Sequence, residues 1–295
     1  MPGDVAMAWA GTSVGRPRDR LVRGGALTDL VGDPGAADNP AAEAVPQPAR
    51  RRRRRSPAHR PGGKTPRRVS AGMRLLAVIV LLFGVAGLYL GGRMLMSGIA
   101  GLQADLFLDD WQERGALPSD RAADVALEAA QSASDWYPGV HAELSGREAR
   151  VLAWRSFQRP VGDPEVEAER RAALSAWRAS VAARPTWPHG WVGLAQIKWE
   201  LGETDTEFLE ALRNALAHGV VRWEIDRDVA RIGLLAWDEL PMADQSRVLE
   251  AASRTVSRNR REAAALAPYL DHAGLTPALC IYQRALQRES HRLCP

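Results

Sequence analysis

The sequence predicts an all-α protein: a disordered basic tail, one helix long enough to cross a membrane, and a domain of α-helical hairpins beyond it. Three observations carry this. Residues Leu75–Gly92 are 18 consecutive positions without a charge. The chain beyond them is dominated by Ala, Leu, Arg and Glu, with no run of alternating β-branched residues. Charge is divided along the chain: residues 1–74 hold 15 Lys and Arg against 6 Asp and Glu, whereas residues 75–295 hold 24 against 29. The nets of +9 and −5 give the total of +4.

Residues 1–72 are rich in Pro, Gly, Ala and Arg, lack apolar periodicity and contain the block Arg50–Arg55. Such a stretch cannot bury enough apolar surface to offset chain entropy, which predicts disorder. The Arg block has the chemistry to meet anionic lipid or nucleic acid. A solvated run that sets topology is the simpler reading, and nucleic acid is not expected as a partner. Met73 stands directly before the apolar run, where a membrane anchor ordinarily begins. A start at Met73, with residues 1–72 an extension absent from the native protein, therefore competes with a start at Met1.

Residues 73–97 form the expected transmembrane helix, flanked by Arg74 and Arg93. Carried on to Met96, the apolar run spans roughly 27–33 Å at the helical rise, the thickness of a hydrocarbon core. Arg93 is near enough to the end to snorkel toward headgroups. Arg50–Arg55, Arg60, Lys64, Arg67, Arg68 and Arg74 precede the span; Asp105, Asp109, Asp110 and Glu113 follow it. The positive-inside rule then puts the N-terminus in the cytoplasm and the large domain outside it. A cleaved signal peptide is the competing reading, with Gly98-Ile99-Ala100 as a cleavage site. The apolar run exceeds the usual signal core of about 7–15 residues, which favours an uncleaved anchor. Gly87 and Gly91 make a GxxxG, a helix-pairing pattern whose simpler reading is lipid-facing glycine.

Residues 98–295 read as helix after helix. Pro and Gly at 118, 138, 160, 164, 185, 188, 202, 219, 241, 274 and 277 divide them into segments, most of about 12–20 residues. Thr204-Asp205-Thr206-Glu207 fits a capping box. Asp163-Pro164 and Thr276-Pro277 place a capping side chain before a proline at the first helical position. Trp187, Trp191, Leu194, Ala195 and Leu201 share one helical face, and Phe208, Ala211, Leu212, Ala215 and Leu216 another. The short connection at Gly202 predicts that these two helices pack antiparallel.

This pair resembles a tetratricopeptide repeat. Trp191, Leu194 and Ala195 on the first helix, Gly202 at the turn, and Phe208 and Ala215 on the second follow that consensus. Ala173, Trp177, Ser180 and Pro185 look like the second helix and closing proline of a preceding repeat. Lys198 stands where an aromatic is usual, and Gly219 replaces the closing proline. The implied repeat core is Trp177, Trp191, Leu194, Phe208 and Ala215. From roughly Met73 to the C-terminus, and most clearly over residues 184–240, from RPTWPHGWVGLAQIKWELG to GLLAWDEL, the chain is also similar to the VpsP-type proteins of bacterial exopolysaccharide gene clusters. The resemblance implies a single-pass anchor with a tetratricopeptide-like domain, no known catalytic residues, a periplasmic location and polysaccharide-assembly partners.

Chemistry is sparse. The six histidines are far apart, and none has HxxxH or HExxH spacing. No phosphate-binding, nucleotide-binding or nucleophile-elbow motif is present. No enzyme, cofactor or metal is expected. Of nine tryptophans beyond the span, most have the periodicity of core residues. Trp199 falls off the apolar stripe and is the candidate exposed contact for a partner or a sugar ring. Cys280 and Cys294 stand about 21 Å apart on one continuous helix, too far to bond. A disulfide requires residues 290–295 to fold back, and both states stay open. The expected function is a non-enzymatic membrane-anchored scaffold of polysaccharide biosynthesis or export, bound to the lipid bilayer and to membrane or periplasmic partners. The alternative is a periplasmic glycan-binding module that uses exposed aromatic residues.

Overall fold

The computed structural model describes residues 70–295, apart from positions 221, 292 and 295. The basic tail, its Arg block and the readings placed on residues 1–69 lie outside the described residues. Ten α-helices and no strand occur among the described residues: α1 (Ala71–Arg114), α2 (Asp120–Trp136), α3 (Ala142–Ser156), α4 (Glu167–Ala183), α5 (Pro188–Glu200), α6 (Thr206–His218), α7 (Trp223–Leu235), α8 (Met242–Arg258), α9 (Arg260–His272) and α10 (Thr276–Ala285). The chain divides into two units. Of one, only residues 70–81, the opening of α1, are described; the other includes Leu82–Pro295.

Helix α1 runs 44 residues without a break, so the expected boundary at 97/98 falls inside a helix. Its first part is exposed and apolar: Phe83 is 76% and Leu88 80% exposed. It is long and apolar enough to cross a membrane. Its buried positions begin at Ser97 and continue through Gly101, Ala104, Leu108 and Trp111. These recur every three or four residues, one stripe of an α-helix turned toward neighbours. Ala104, Leu108 and Trp111 share a core with Ala123, Ala126, Ala129 and Ala130 of α2 and with Val151 and Trp154 of α3. Asp105 of α1 accepts both guanidinium bonds of Arg147 of α3, at 2.7 and 2.8 Å.

From α3 onward the helices pack as hairpins, α3 with α4, α5 with α6 and α7 with α8, and the first helices of successive hairpins also touch, α3 on α5, α5 on α7 and α7 on α9. A second core runs through them, from Ala149 on α3 to Leu279 on α10. Small residues decide how closely the helices approach. A Cβ at Gly193 of α5 would lie 2.3 Å from the Trp177 ring of α4, and one at Gly146 of α3 would lie 3.1 Å from the same ring. Trp177 is therefore clasped between two helix backbones.

The turns follow local chemistry, with two corrections. Gly202, at φ +76°, ends α5, and the amide of Glu203 reaches back to the Lys198 carbonyl at 2.9 Å. The cap of α6 is Asp205, which accepts from the Phe208 amide at 3.1 Å. Thr204, expected in that role, instead donates to Glu239, because Glu207 is drawn toward Arg178 and Lys198 and cannot reach back. Thr276 likewise lies inside α10 and donates to Asp271 rather than capping. Asp163 does cap the short turn at Pro164–Val166, accepting from the Glu165 amide at 2.9 Å.

Candidate functional site

Arg74 is exposed on the first turns of α1. Arg93, expected to snorkel freely, donates Nε to the Trp136 carbonyl at 3.0 Å and Nη2 to the Asp135 carbonyl at 2.7 Å. These are terminal carbonyls of α2, left open by the end of the helix, and a cation there also suits the helix dipole. One turn along α1, the Ser97 hydroxyl donates to the Ala133 carbonyl at 2.7 Å. The domain thus holds the arginine that ends the charge-free run.

The repeat-core residues come together. Trp177, Leu194, Phe208 and Ala215 are all buried in the larger core. Trp191 is half-buried at its edge and donates its indole N–H to the Pro185 carbonyl at 2.6 Å. Trp199 is not a free platform: it is half-buried and packed against the same core. Its place off the stripe turns it to the flank of α5, where neighbouring helices still cover part of the ring. Trp136 has the exposed indole, at 43%. Its signal in the sequence was position, since it stands at the end of a helix beside Pro138 and Gly139 rather than within an apolar stripe.

The first helices of the hairpins carry a polar row. On α5, Gln196 donates to the Glu200 carboxylate at 2.8 Å. Arg231 of α7 makes a long 3.5 Å contact with Gln196. Burial drives the Glu200 pKa up to about 7, because Arg170, 4.0 Å away, is too distant to hydrogen-bond. Glu200 Oε2 and Asp228 Oδ2 are buried without a hydrogen-bond partner. His189, beside Arg222, is held below the ordinary histidine value by burial, against the opposing pull of Asp228.

Two charged clusters are structural. Arg170, 1% exposed, donates to the carbonyls of Ser156, Arg159, Pro160 and Glu200, pinning the α3–α4 corner to the end of α5. Lys198, where the repeat consensus has an aromatic, is equally buried, and its ammonium lies 2.9 Å from each of Glu203, Asp205 and Glu207. Burial pulls its pKa down, but the bonds to those carboxylates outweigh this and leave it above the usual lysine value. Neither residue type advertises burial in a sequence.

At the C-terminus, Cys280 and Cys294 are bonded, with Cα atoms 5.5 Å apart. The chain doubles back through Gln287 and His291, both at positive φ. Arg288 then makes a two-bond pair with Glu250 of α8 at 3.0 and 3.1 Å. Beside this segment lies an open hollow of about 550 Å³ lined by Val220, Trp223, Arg254, Arg258 and Arg288 among others. Arg258 stacks on the Trp223 ring at 4.3 Å. Among the described residues, no group of three or more His, Cys, Asp and Glu is placed to hold a metal ion.

Compared with known proteins, the chain matches no family model, and no curated protein matches it.

Proposed function

We propose that this chain is a non-enzymatic membrane-anchored scaffold. Its N-terminus lies in the cytoplasm and its hairpin domain in the periplasm of a two-membrane bacterium, where the domain holds another component of exopolysaccharide synthesis or export. The observation that carries this reading is the continuity of α1. The helix that passes through the apolar run enters the domain core without a break and is tied to α2 and α3 by Arg93, Ser97 and Asp105. Such an arm holds the domain at a set distance from the bilayer, as a scaffold requires.

Other features support parts of the same reading. Contact between successive first helices supports the tetratricopeptide-like assignment, and Arg222, exposed, and Arg231, half-buried, are within reach of a partner beside the buried polar row. The Cys280–Cys294 bond suits an oxidising compartment. The polysaccharide pathway rests on the resemblance of residues 184–240 to VpsP-type proteins. Trp199, the contact on which the glycan-binding alternative leans, is half-buried against the core.

Photo-crosslinkers at Arg222 and Arg231 in intact cells test the proposal. Crosslinks to a membrane or periplasmic component of polysaccharide assembly are expected, identified by mass spectrometry. Crosslinks only to cytoplasmic proteins, or a chain that remains uncrosslinked, would overturn it.

A further inference from the structure

Among the described residues, the corner between α2 and α3 is the one place where an exposed indole meets α1. Its geometry is set by an antiparallel register. Ser97 of α1 bonds to Ala133 of α2, and Arg93, one turn nearer the apolar run, bonds to Asp135 and Trp136. Moving down α1 toward the span therefore means moving forward along α2. The corner after Trp136 therefore lies near the level of Arg93. Arg93 is 19 residues past Arg74, about 28 Å along the helix, so the pair brackets one hydrocarbon thickness.

The composition of this corner fits that depth. Tyr137 leaves α2 in an extended conformation, and Gly139 turns the chain at φ +121°. Trp136 is 43% and Val140 72% exposed, and Tyr89 of α1, 63% exposed, lies 6.0 Å from the Arg93 guanidinium. Tyr and Trp combine an apolar ring with a polar tip, the pairing favoured at the boundary between lipid tails and water. Asp135 is the sole acidic residue from 134 to 140; Arg93 bonds its backbone carbonyl, and the residue is exposed to the water side of the headgroup layer.

We propose that the corner Trp136–Val140 is a second membrane contact, which inserts Trp136 and Val140 into the headgroup layer of the leaflet from which α1 emerges. The occupant is lipid, and the proposal rests on reading α1 as a membrane span. Two attachment points, one through the bilayer and one on its surface, fix the domain's tilt as well as its distance. Arg93 is then a positioning residue that holds the corner at lipid depth.

The test uses the full chain in vesicles of phosphatidylethanolamine and phosphatidylglycerol, with an environment-sensitive fluorophore on a single introduced cysteine. The native cysteines are bonded and do not react. Phe83→Cys reports the span. Val140→Cys reports the corner. Val161→Cys, 45% exposed beside the far end of α3, reports water. Helix α3 has 15 residues, which puts that probe about 22 Å farther along the hairpin. Spin-labelled lipid is expected to quench the probes at 83 and 140 and to spare the one at 161. Trp136→Ser should reduce quenching at 140 about twofold without loss of helix signal. If 140 behaves like 161 while 83 is quenched, the surface contact is wrong and the span stands. If 83 is also unquenched, the span reading fails and this contact falls with it.

Discussion

Glu200 shows how much one side chain sets at the residue scale. Its carboxyl is deeply buried, accepts one bond from Gln196, and has a folded pKa of about 7 against an ordinary 4.5. Below pH 4.5 the group is protonated in both folded and unfolded chains and costs nothing. As pH rises from 4.5 to 7 the unfolded chain ionises first, and about 3 kcal/mol of stability is lost. Glu207 behaves oppositely: bonding from Arg178 holds it at about 2, so its contribution is present above 4.5 and lost as pH falls toward 2. Glu200→Gln is expected to raise the melting temperature at pH 8 and leave it nearly unchanged at pH 4.5. Thermal unfolding by circular dichroism of the detergent-solubilised protein checks this. An equal shift at both pH values would show that Glu200 is not the titrating group. None of this was legible beforehand. Lys198 stood out only as a departure from the repeat consensus, Glu200 and Arg170 carried no signal, and only the packing of α4, α5 and the intervening corners encloses them.

At the element scale, glycines of identical type have opposite roles. Gly193 is covered by the Trp177 ring, whereas Gly98, exposed on α1, has nothing within 4 Å of a Cβ. Gly193→Ala is expected to destabilise by about 1–3 kcal/mol through overpacking. Gly98→Ala should instead stabilise α1 by up to about 1 kcal/mol, because alanine loses less chain entropy in a helix. Melting temperatures of the two variants should move in opposite directions. The C-terminal segment is a second such test. A disulfide closing a loop of about 15 residues is worth about 3 kcal/mol. Cys280→Ser is expected to release residues 286–294 from α8, seen as new protease cleavage confined to that segment. Unchanged cleavage would mean that Arg288 and Glu250 hold it unaided.

The whole molecule is legible at low resolution. The 18 charge-free residues mark the exposed part of α1, and Pro and Gly fall near most helix limits, but α8 and α9 divide at Asn259, where neither stands. The full chain is expected to stay in the membrane pellet through an alkaline carbonate wash. Protease added to the outer face of spheroplasts is expected to digest the hairpin domain. Release into the wash, or digestion only after lysis, would contradict the anchor or its orientation. What blurred the reading was continuity. The sequence changes character near residue 97, but the helix does not end there, because the stripe from Ser97 to Trp111 keeps a helical period through the change.

Pattern alone determined the fold class, the apolar run and most helix limits, since each depends on propensity, period or charge within a short window. Tertiary structure alone decided that Trp199 packs while Trp136 is exposed, that Asp205 rather than Thr204 caps α6, that Arg93 is held by α2, and that Cys280 meets Cys294. Each of those depends on which distant side chain or backbone comes to lie beside the residue or its neighbours. A distance across space is set by packing, which no local window contains.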